Sequence, residues 1–480
     1  MSNTRFSMWL LVAMIALPVI FASCIEDGFT TSPNDVLDFN RDTVAFDTVI
    51  TLQGTATKQM VVYNHSNKQI NISSIKVAGL ASKGHFYLNV DGVRGDEFHN
   101  VEIRGNDSIF IFIEAYLDEM EQDKPTLLED RLEFETNGKS QYVLLSAWGQ
   151  DVVRINGDTI YNNTLLTATK PYLIYDTMFV APGATLTIDP GATLLFHDKA
   201  AIRCKGRMLA NGTAQEPITF RGDRLDRVVG ETSFDVMSGQ WGGIIFSPSY
   251  KVTNVLKHVI MRGSSIGMHC NPDYVDTLNC SLKLVNCVLS NSASTCLATA
   301  ACYVQLIGTE VSDAAEEVAY FAGGKVLATQ CTFANNYLFA LPSLPIINVF
   351  DVEFGDGTTG KIKGRFDNCI IHGMTRDINR DTLDNYDVYL RYCLLKGAGV
   401  DDAHFINCVW KGDPCFLTVR DDHYFDYRLG NESQAIAKGN PDLCPAEARY
   451  DRYGVDRFAR GGVDLGAYAW VFIPEDEEDE

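Results

Sequence analysis

Between Val36 and about Val153, apolar and polar residues alternate in short runs separated by turn residues, which is the pattern of half-buried β-strands. Met60-Val61-Val62-Tyr63, Ile70-Asn71-Ile72, Phe86-Tyr87-Leu88, Ile109 to Ile113, Leu132-Glu133-Phe134 and Val143-Leu144-Leu145 are such runs. Asn64-His65-Ser66-Asn67 and Thr136-Asn137-Gly138 lie between them as turns. No helical period of useful length interrupts the series, so the stretch 36–153 predicts a β-sandwich. It contains no cysteine, and its core must hold it together without disulfides.

Beyond it the pattern changes to one of repeats. Pro182-Gly183-Ala184-Thr185-Leu186-Thr187-Ile188 and Pro190-Gly191-Ala192-Thr193-Leu194-Leu195-Phe196 are near-duplicates, eight residues apart. Each is one corner and one short strand, which cannot bury an apolar face unless neighbours stack on it. A second self-similarity places His258, Cys287, Thr309, Cys331, Cys369, Cys393 and Cys408 in equivalent positions, spaced 29, 22, 22, 38, 24 and 15 residues apart. A 22-residue step with several short strands is one coil of a right-handed parallel β-helix. Leucine-rich repeats have a similar length, but neither their leucine ladder nor a helix in each period is present. Stretch 154–445 is therefore assigned to the β-helix and 446–480 to a C-terminal capping segment with an acidic tail, Glu475 to Glu480.

Composition changes the picture in two places. The chain has 480 residues with 40 Lys+Arg against 62 Asp+Glu, a net charge of −22, which opposes nucleic-acid binding because that depends on cations neutralising phosphates. There are 13 cysteines. Five of them stand in the repeat column, where Cys acts as a small buried apolar residue. Seven, at 204, 270, 280, 296, 302, 415 and 444, lie off it. Cys270 and Cys280 bracket the turn-rich Asn271-Pro272-Asp273-Tyr274 and are candidates for a disulfide in an oxidising compartment. With no Cys-x-x-Cys and no close His pair, no metal or cofactor is expected.

The remaining cysteine, Cys24, has its own context. Residues 1–23 carry one charge, Arg5, and an apolar run from Trp9 to Ala22 that is short for a transmembrane span, ending in Phe21-Ala22-Ser23 before Cys24. This resembles a bacterial lipoprotein signal, which implies lipidation of Cys24 and a mature charge of −23 once Arg5 is removed. Glu26 and Asp27 resemble the acidic signal that directs lipoproteins of bacteroidete-type bacteria to the outer face of the outer membrane, and 24–35 then forms a tether.

Several segments together carry a wider resemblance. Phe46-Asp47-Thr48-Val49, Phe134-Glu135-Thr136-Asn137-Gly138, Trp148-Gly149-Gln150-Asp151-Val152, Phe220-Arg221-Gly222-Asp223-Arg224-Leu225-Asp226 and Gly239-Gln240-Trp241-Gly242-Gly243-Ile244 resemble an uncharacterised family of bacteroidete-type surface lipoproteins. The resemblance implies an all-β chain, an immunoglobulin-like β-sandwich followed by a pectate-lyase-like right-handed β-helix. Phe425-Asp426-Tyr427-Arg428-Leu429 and Val463-Asp464-Leu465-Gly466-Ala467-Tyr468 look like the segment that covers the last open coil of such proteins, with capping rather than chemical roles. It implies location and architecture but no activity.

Two functions of different classes follow. One is a non-enzymatic scaffold or binding module, anchored in the outer membrane and meeting a polysaccharide or another surface protein through its strand faces, with the sandwich as a spacer. The other is a polysaccharide lyase or glycoside hydrolase for an acidic glycan, which needs carboxylates recurring at the coil period. Asp401-Asp402-Ala403-His404 and Asp421-Asp422-His423 are the nearest candidates, while the outward neighbours of the Cys column, Val288, Ser290, Glu310, Ser312 and Thr332, read as mixed and mostly neutral. Tyr320, Phe321, Tyr337 and Phe339 are candidates for sugar stacking or for loop packing, and Asp107-Ser108-Ile109 and Asp158-Thr159-Ile160 match a short O-glycosylation motif. The pattern favours the binding module.

Overall fold

The computed structural model describes residues 28–227, 232–272, 275–353, 355, 357, 359–421 and 424–474. Cys24 with its signal segment, the pair Asp422-His423 and the acidic end Glu475–Glu480 lie outside the described residues. The chain divides into two compact units at Asp151/Val152.

The first unit is the predicted immunoglobulin-like sandwich. One sheet has five strands in the order Asp38–Phe39, Lys58–Asn64, Asp107–Tyr116, His85–Val90 and Val93–Gly95. The other is built on Thr43–Ile50, Lys139–Gln150, Thr126–Thr136 and Ile70–Val77, with Glu97–Phe98 and Val101–Ile103 on its edge. Alternation sorts the faces: Ile109, Ile111, Ile113 and Ala115 of one sheet and Leu128, Leu132 and Phe134 of the other fill a single core.

The second unit is a right-handed parallel β-helix whose coils run from Val153–Asn156 to Val409–Trp410. Three parallel sheets of 11, 8 and 10 strands form its sides. One coil shows the plan: Glu310–Ala314 in the first sheet, Ala319–Ala322 in the second, Gly324–Thr329 in the third, and then Thr332–Asn335 back in the first. The Pro-Gly duplicates are two sides of one coil, Thr185–Ile188 in the third sheet and Thr193–Phe196 in the first.

From His258 onward the corner from third to first sheet is a single residue in the left-handed conformation, where the earlier coils use longer turns such as the one between Ile188 and Thr193. His258, Asn286, Gly308, Gln330, Asn368, Tyr392 and Asn407 all have φ between 46° and 58° there. All but Asn407 make the same backbone bond to the next coil, as in Asn286 N–H to Ile307 O (2.8 Å), Gly308 to Thr329 O (3.0 Å) and Asn368 to Arg391 O (3.0 Å). Left-handed backbone costs most residues about 1–2 kcal/mol, and Asn or Gly least. The inward residue follows at once, so Cys287, Thr309, Cys331, Cys369, Cys393 and Cys408 stack as expected. His258 does not belong to that column. Ile260 pairs with Val288, which puts Val259 at the level of Cys287 and His258 at the corner with Asn286. His258 also lacks the branched or small apolar character an inward site demands, and a one-residue shift moves it out of the core.

The expected Cys270–Cys280 bridge is not formed, and both are free thiols. Cys270 ends the strand Met268–Cys270 and points into the helix interior, where Cys302 Sγ donates to its carbonyl (3.4 Å). The chain then passes to the third sheet, and Cys280 stays half-buried with its thiol on Leu282 O (3.3 Å). The two side chains serve different faces of one coil.

The C-terminal segment begins with the antiparallel hairpin Phe416–Asp421 and Tyr424–Leu429 and continues without long strands. It runs along the outer face of the first sheet and reaches the last coils at Leu394 and Val409. Asn286 Nδ2 donates to Tyr450 O (3.2 Å), Thr332 Oγ1 accepts from Ala467 N (2.9 Å), and Asn368 exchanges two bonds with the Asn440 backbone (2.8 and 2.9 Å). Corner asparagines thus serve both the turn and this docking. Ile370 and Leu394 pack with Leu429, Ala435 and Leu465 beneath it.

The dry column gives a direct test. Replacing Cys369, fully buried, by Ser brings a more strongly solvated hydroxyl into an apolar stack and should cost about 1–3 kcal/mol. Thermal melting should fall by several degrees, whereas Cys415→Ser near the surface should leave it unchanged; equal effects would contradict the inward column.

Candidate functional site

The docked C-terminal segment covers the first sheet only in part. Over the strands Val259–Arg262, Val288–Ser292 and Glu310–Ala314 it leaves a cleft of about 540 Å³. Val288, Ser290, Glu310 and Ser312 lie on its floor. These are the outward neighbours that the sequence presented as unremarkable, and register brings them together: Arg262 pairs with Ser290 and Ser290 with Ser312, while Val288 pairs with Glu310.

One wall comes from the excursion between the strands Ile218–Gly222 and Gly243–Phe246. Its short 3₁₀ turn Phe234–Val236 carries Asp235. Asn291 Nδ2 holds this turn by donating to Val236 O (2.5 Å) and Asp235 O (3.3 Å), and Gln240 Nε2 reaches Met237 O (2.6 Å) and Phe234 O (2.9 Å). The Gly-Gln-Trp-Gly-Gly motif is the root of the excursion. Trp241 is buried, stacks on Phe196 (4.1 Å between ring centres) and donates to Arg262 O (2.9 Å). Gly243 has φ +112° and lies so close to Gly267 O that a Cβ would sit 2.5 Å from it.

The facing wall is the C-terminal segment, with Tyr424, Asp426, Tyr427, Arg452, Tyr453 and Tyr468. Tyr424 and Tyr453 are 61% and 51% exposed, and the Tyr453 ring lies against the guanidinium groups of Arg452 (4.9 Å) and Arg428 (5.5 Å) and beside Tyr468 (5.8 Å between ring centres). Tyr427 and Tyr468 are buried and reach down to the two carboxyl groups on the strand Glu310–Ala314. Tyr427 Oη donates to Asp313 Oδ1 (2.6 Å), which also accepts from Asn336 N (3.0 Å). Tyr468 Oη donates to Glu310, whose other oxygen accepts from Ser312 Oγ (2.7 Å).

Burial dominates the electrostatics. Glu310 is 7% and Asp313 4% exposed. Loss of water raises the Glu310 carboxyl above its usual range against the pull of the tyrosine and serine hydroxyls and of Arg452. The same desolvation takes Asp313 to about 7, with the Tyr427 hydroxyl and the Asn336 N–H acting the other way and the nearby Glu310 adding to the rise. Both phenols are pushed up by burial and then by the carboxylate each faces. Asp426 is differently placed, gripped by Arg428 through Nε (3.0 Å) and Nη2 (2.5 Å). Asp235 is shared by two arginines, 3.4 Å from Arg221 Nη1 and 3.2 Å from Arg262 Nη1. Among the described residues no group of three His, Cys, Asp or Glu side chains is arranged to hold a metal ion.

The residues singled out in the sequence have other work. Asp401 accepts from the N–H groups of Asn407 (2.6 Å) and Cys408 (3.2 Å) and from Trp410 Nε1 (3.0 Å), so it braces the last coil. Asp402 caps the N–H groups of His404 and Phe405, and His404 bonds Val388 O (2.7 Å). Asp421 ends the hairpin strand Phe416–Asp421. The four aromatics do not form one platform. Phe321 is core, Tyr320 meets Phe350 edge-on, and Tyr337 is buried with its hydroxyl on Ser238 Oγ (2.5 Å), leaving Phe339 exposed against it.

In the sandwich, alternation places Phe110 and Phe112 on the outer face of the five-stranded sheet, and a shallow hollow there is lined by Tyr87, Asn89, Arg94, Phe112 and Glu114. Aromatic residues scattered through the sequence are thus gathered by strand pairing, though with fewer charged groups than the cleft.

No protein-family model matches the chain. A stretch of 72 residues is 36% identical to Protein bark beetle of Drosophila melanogaster, covering 15% of this chain and 2% of that protein. Among solved structures, a family 123 glycoside hydrolase from Clostridium perfringens, described as hydrolysing glycolipid glycans, aligns with 24% of this chain and 26% of its own at 10% identity and a TM-score of 0.18. That overlap is too slight to bear on function. Among the described residues no helix is long and apolar enough to cross a membrane.

Asp313 supplies a pH test. Because its folded-state value lies above that of the unfolded chain, its neutral form stabilises the fold below the ordinary carboxylate range, and that contribution is lost as pH rises through about 7. The melting temperature should therefore drop between pH 5 and 8. In Asp313→Asn, which keeps an uncharged acceptor for Tyr427, the curve should be flatter by several degrees; parallel curves would refute the assignment.

Proposed function

We propose that this protein is a glycan-binding lipoprotein, anchored through Cys24 at the outer face of an outer membrane, and that the glycan is held in the cleft on the flank of the β-helix. What carries the proposal is the cleft itself. Two exposed tyrosine rings, Tyr424 and Tyr453, stand over a floor of serine hydroxyls, carboxyl groups and guanidinium groups. A saccharide ring presents apolar C–H faces and a rim of hydroxyls, so it needs an aromatic surface and bidentate polar groups together. The binding role expected of the open strand faces is thus assigned to the partly roofed part of the first sheet. The lipid anchor is supported by the short apolar leader ending at Phe21-Ala22-Ser23-Cys24 and by Glu26 and Asp27 behind it.

A second reading, cleavage of the bound glycan, is favoured by one observation. Glu310 and Asp313 lie on one strand and line the cleft, and burial raises both carboxyls, Asp313 to about 7, as acid–base work requires. Hydrolysis would use them as proton donor and as base or nucleophile.

The test is retention of the mature chain on a glycan array, compared with Tyr424→Ala/Tyr453→Ala. Binding should weaken about tenfold or more in the double variant. Retention by a protein partner with no glycan bound, or unchanged binding in the variant, would overturn the assignment. Incubation with the retained glycans distinguishes the second reading: new reducing ends indicate hydrolysis, and absorbance at about 232 nm indicates elimination to a conjugated uronate. Cys24→Ala should release the protein from the membrane fraction.

A further inference from the structure

The charges of the cleft carry the proposal one step further, and this step rests on the glycan-binding role proposed above. The strands Ile218–Gly222 and Val259–Arg262 are neighbours in the first sheet, paired Thr219 to Ile260 and Phe220 to Met261. Arg221 and Arg262 therefore occupy the same level on adjacent coils, one strand spacing of about 4.8 Å apart at the backbone. Two guanidinium groups at that spacing repel unless carboxylates compensate them. Among the described residues Asp235 is the carboxylate in contact with both, at 3.4 and 3.2 Å, and with Asp226 as a weaker attraction on Arg221 it leaves the pair partly compensated.

The neighbouring acids are engaged elsewhere. Asp226 is gripped by Arg224, whose Nε and Nη2 donate to its two oxygens (2.9 and 2.5 Å), Asp223 bonds His197 Nδ1 (2.7 Å), and Asp426 pairs with Arg428. Among the described residues, Arg221 Nε and Arg262 Nε are both buried without a hydrogen-bond partner. Burial, followed by the opposing effects of Asp235 and Arg262, leaves the Arg221 guanidinium less favourably charged than usual. Arg262 remains 39% exposed at the cleft wall, next to Ser290 in register, and Arg452 lines the far side beside Glu310. A chain with net charge −22 thus places two partly compensated arginines at one wall of its cleft and a third, Arg452, at the other.

We infer that the ligand is an anionic glycan, and that its acidic group, a carboxylate or a sulfate, sits at Arg262 with Arg221 behind it and Ser290 beside it. The planar donor fork of arginine fits both oxyanions, and the ligand charge replaces the missing half of the Asp235 compensation. Arg452 on the opposite wall, and the burial that disfavours charge on Glu310 and Asp313, limit repulsion from the remainder of the cleft.

The experiment uses the full mature chain and affinity electrophoresis in polygalacturonate, dextran sulfate and unmodified dextran. Native protein should be retarded by at least one of the two anionic polymers and not by dextran; which of them retards it separates carboxylate from sulfate. Arg262→Gln should lower that affinity about tenfold or more. Asp235→Asn removes the competing carboxylate and should raise it several-fold, a change of opposite sign that simple damage to the wall would not give. Melting curves confirm that both variants are folded, and the Asp235 variant decides alone if the Arg262 variant is not. Retention by neutral glycans that is lost in Tyr424→Ala/Tyr453→Ala but indifferent to both charge variants would overturn the anionic assignment and leave the cleft assignment standing. Absence of any glycan retention would overturn both.

Discussion

From His258 onward a single left-handed residue at each passage from the third sheet to the first sets the geometry of the β-helix. The turn allows no slack, so the residue after it must point inward and the next one outward in each of these coils. Columns follow directly: small thiols inside, and outside a file running Arg221, Arg262, Ser290, Ser312, Ala334 and His372. Insertions such as 223–242 are tolerated because they fall between sheets, where they change loop length without disturbing the column. The cleft is therefore a product of register. Its floor is drawn from coils that differ in length but share a corner.

On this regular surface the C-terminal segment adds what repetition cannot. Its two buried tyrosines meet Glu310 and Asp313 across sequence separations of 158 and 114 residues, and they do so by desolvating carboxyl groups that the sheet would otherwise leave in water. Burying an acid is costly unless it is protonated or hydrogen-bonded, and here both carboxyls accept phenol hydrogen bonds and have their pKa raised by burial. The same contacts that fix the segment therefore hold two titratable groups in a state suited to recognising a ligand or exchanging a proton with it. Structural and functional roles need not compete for these residues.

How much of this could be read from the chain depends on whether the signal was local. The alternation of Ile109 to Ile113 and the 22-residue step from Cys287 through Thr309 to Cys331 are short-range and periodic, and they gave the sandwich and the helix directly. His258 was displaced by one position because its neighbours Val259 and Ile260 are both apolar, leaving the inward site ambiguous until pairing resolves it. The cleft was legible only in pieces. Glu310, Ser290 and Ser312 were visible as outward residues but carried no mark of burial, since the groups that bury them lie more than a hundred residues away. A catalytic set legible in the repeat would place carboxylates at the coil period, whereas Glu310 and Asp313 share one strand, Asp235 comes from an insertion and Asp426 from the docked hairpin. Asp401 and His404 looked chemical because acids and histidine cluster there in sequence, yet their hydrogen bonds are spent on loop N–H and carbonyl groups.

The central claim is that a charged, tyrosine-walled cleft on the first sheet holds an acidic saccharide. A crystal structure of the mature chain soaked with an acidic oligosaccharide tests it most directly. The account predicts a sugar ring over Ser290 and Ser312, between Tyr424 and Tyr453, with its acidic group at Arg262. Density for the oligosaccharide on the second or third sheet or on the sandwich, with the cleft empty at saturating ligand, would contradict it.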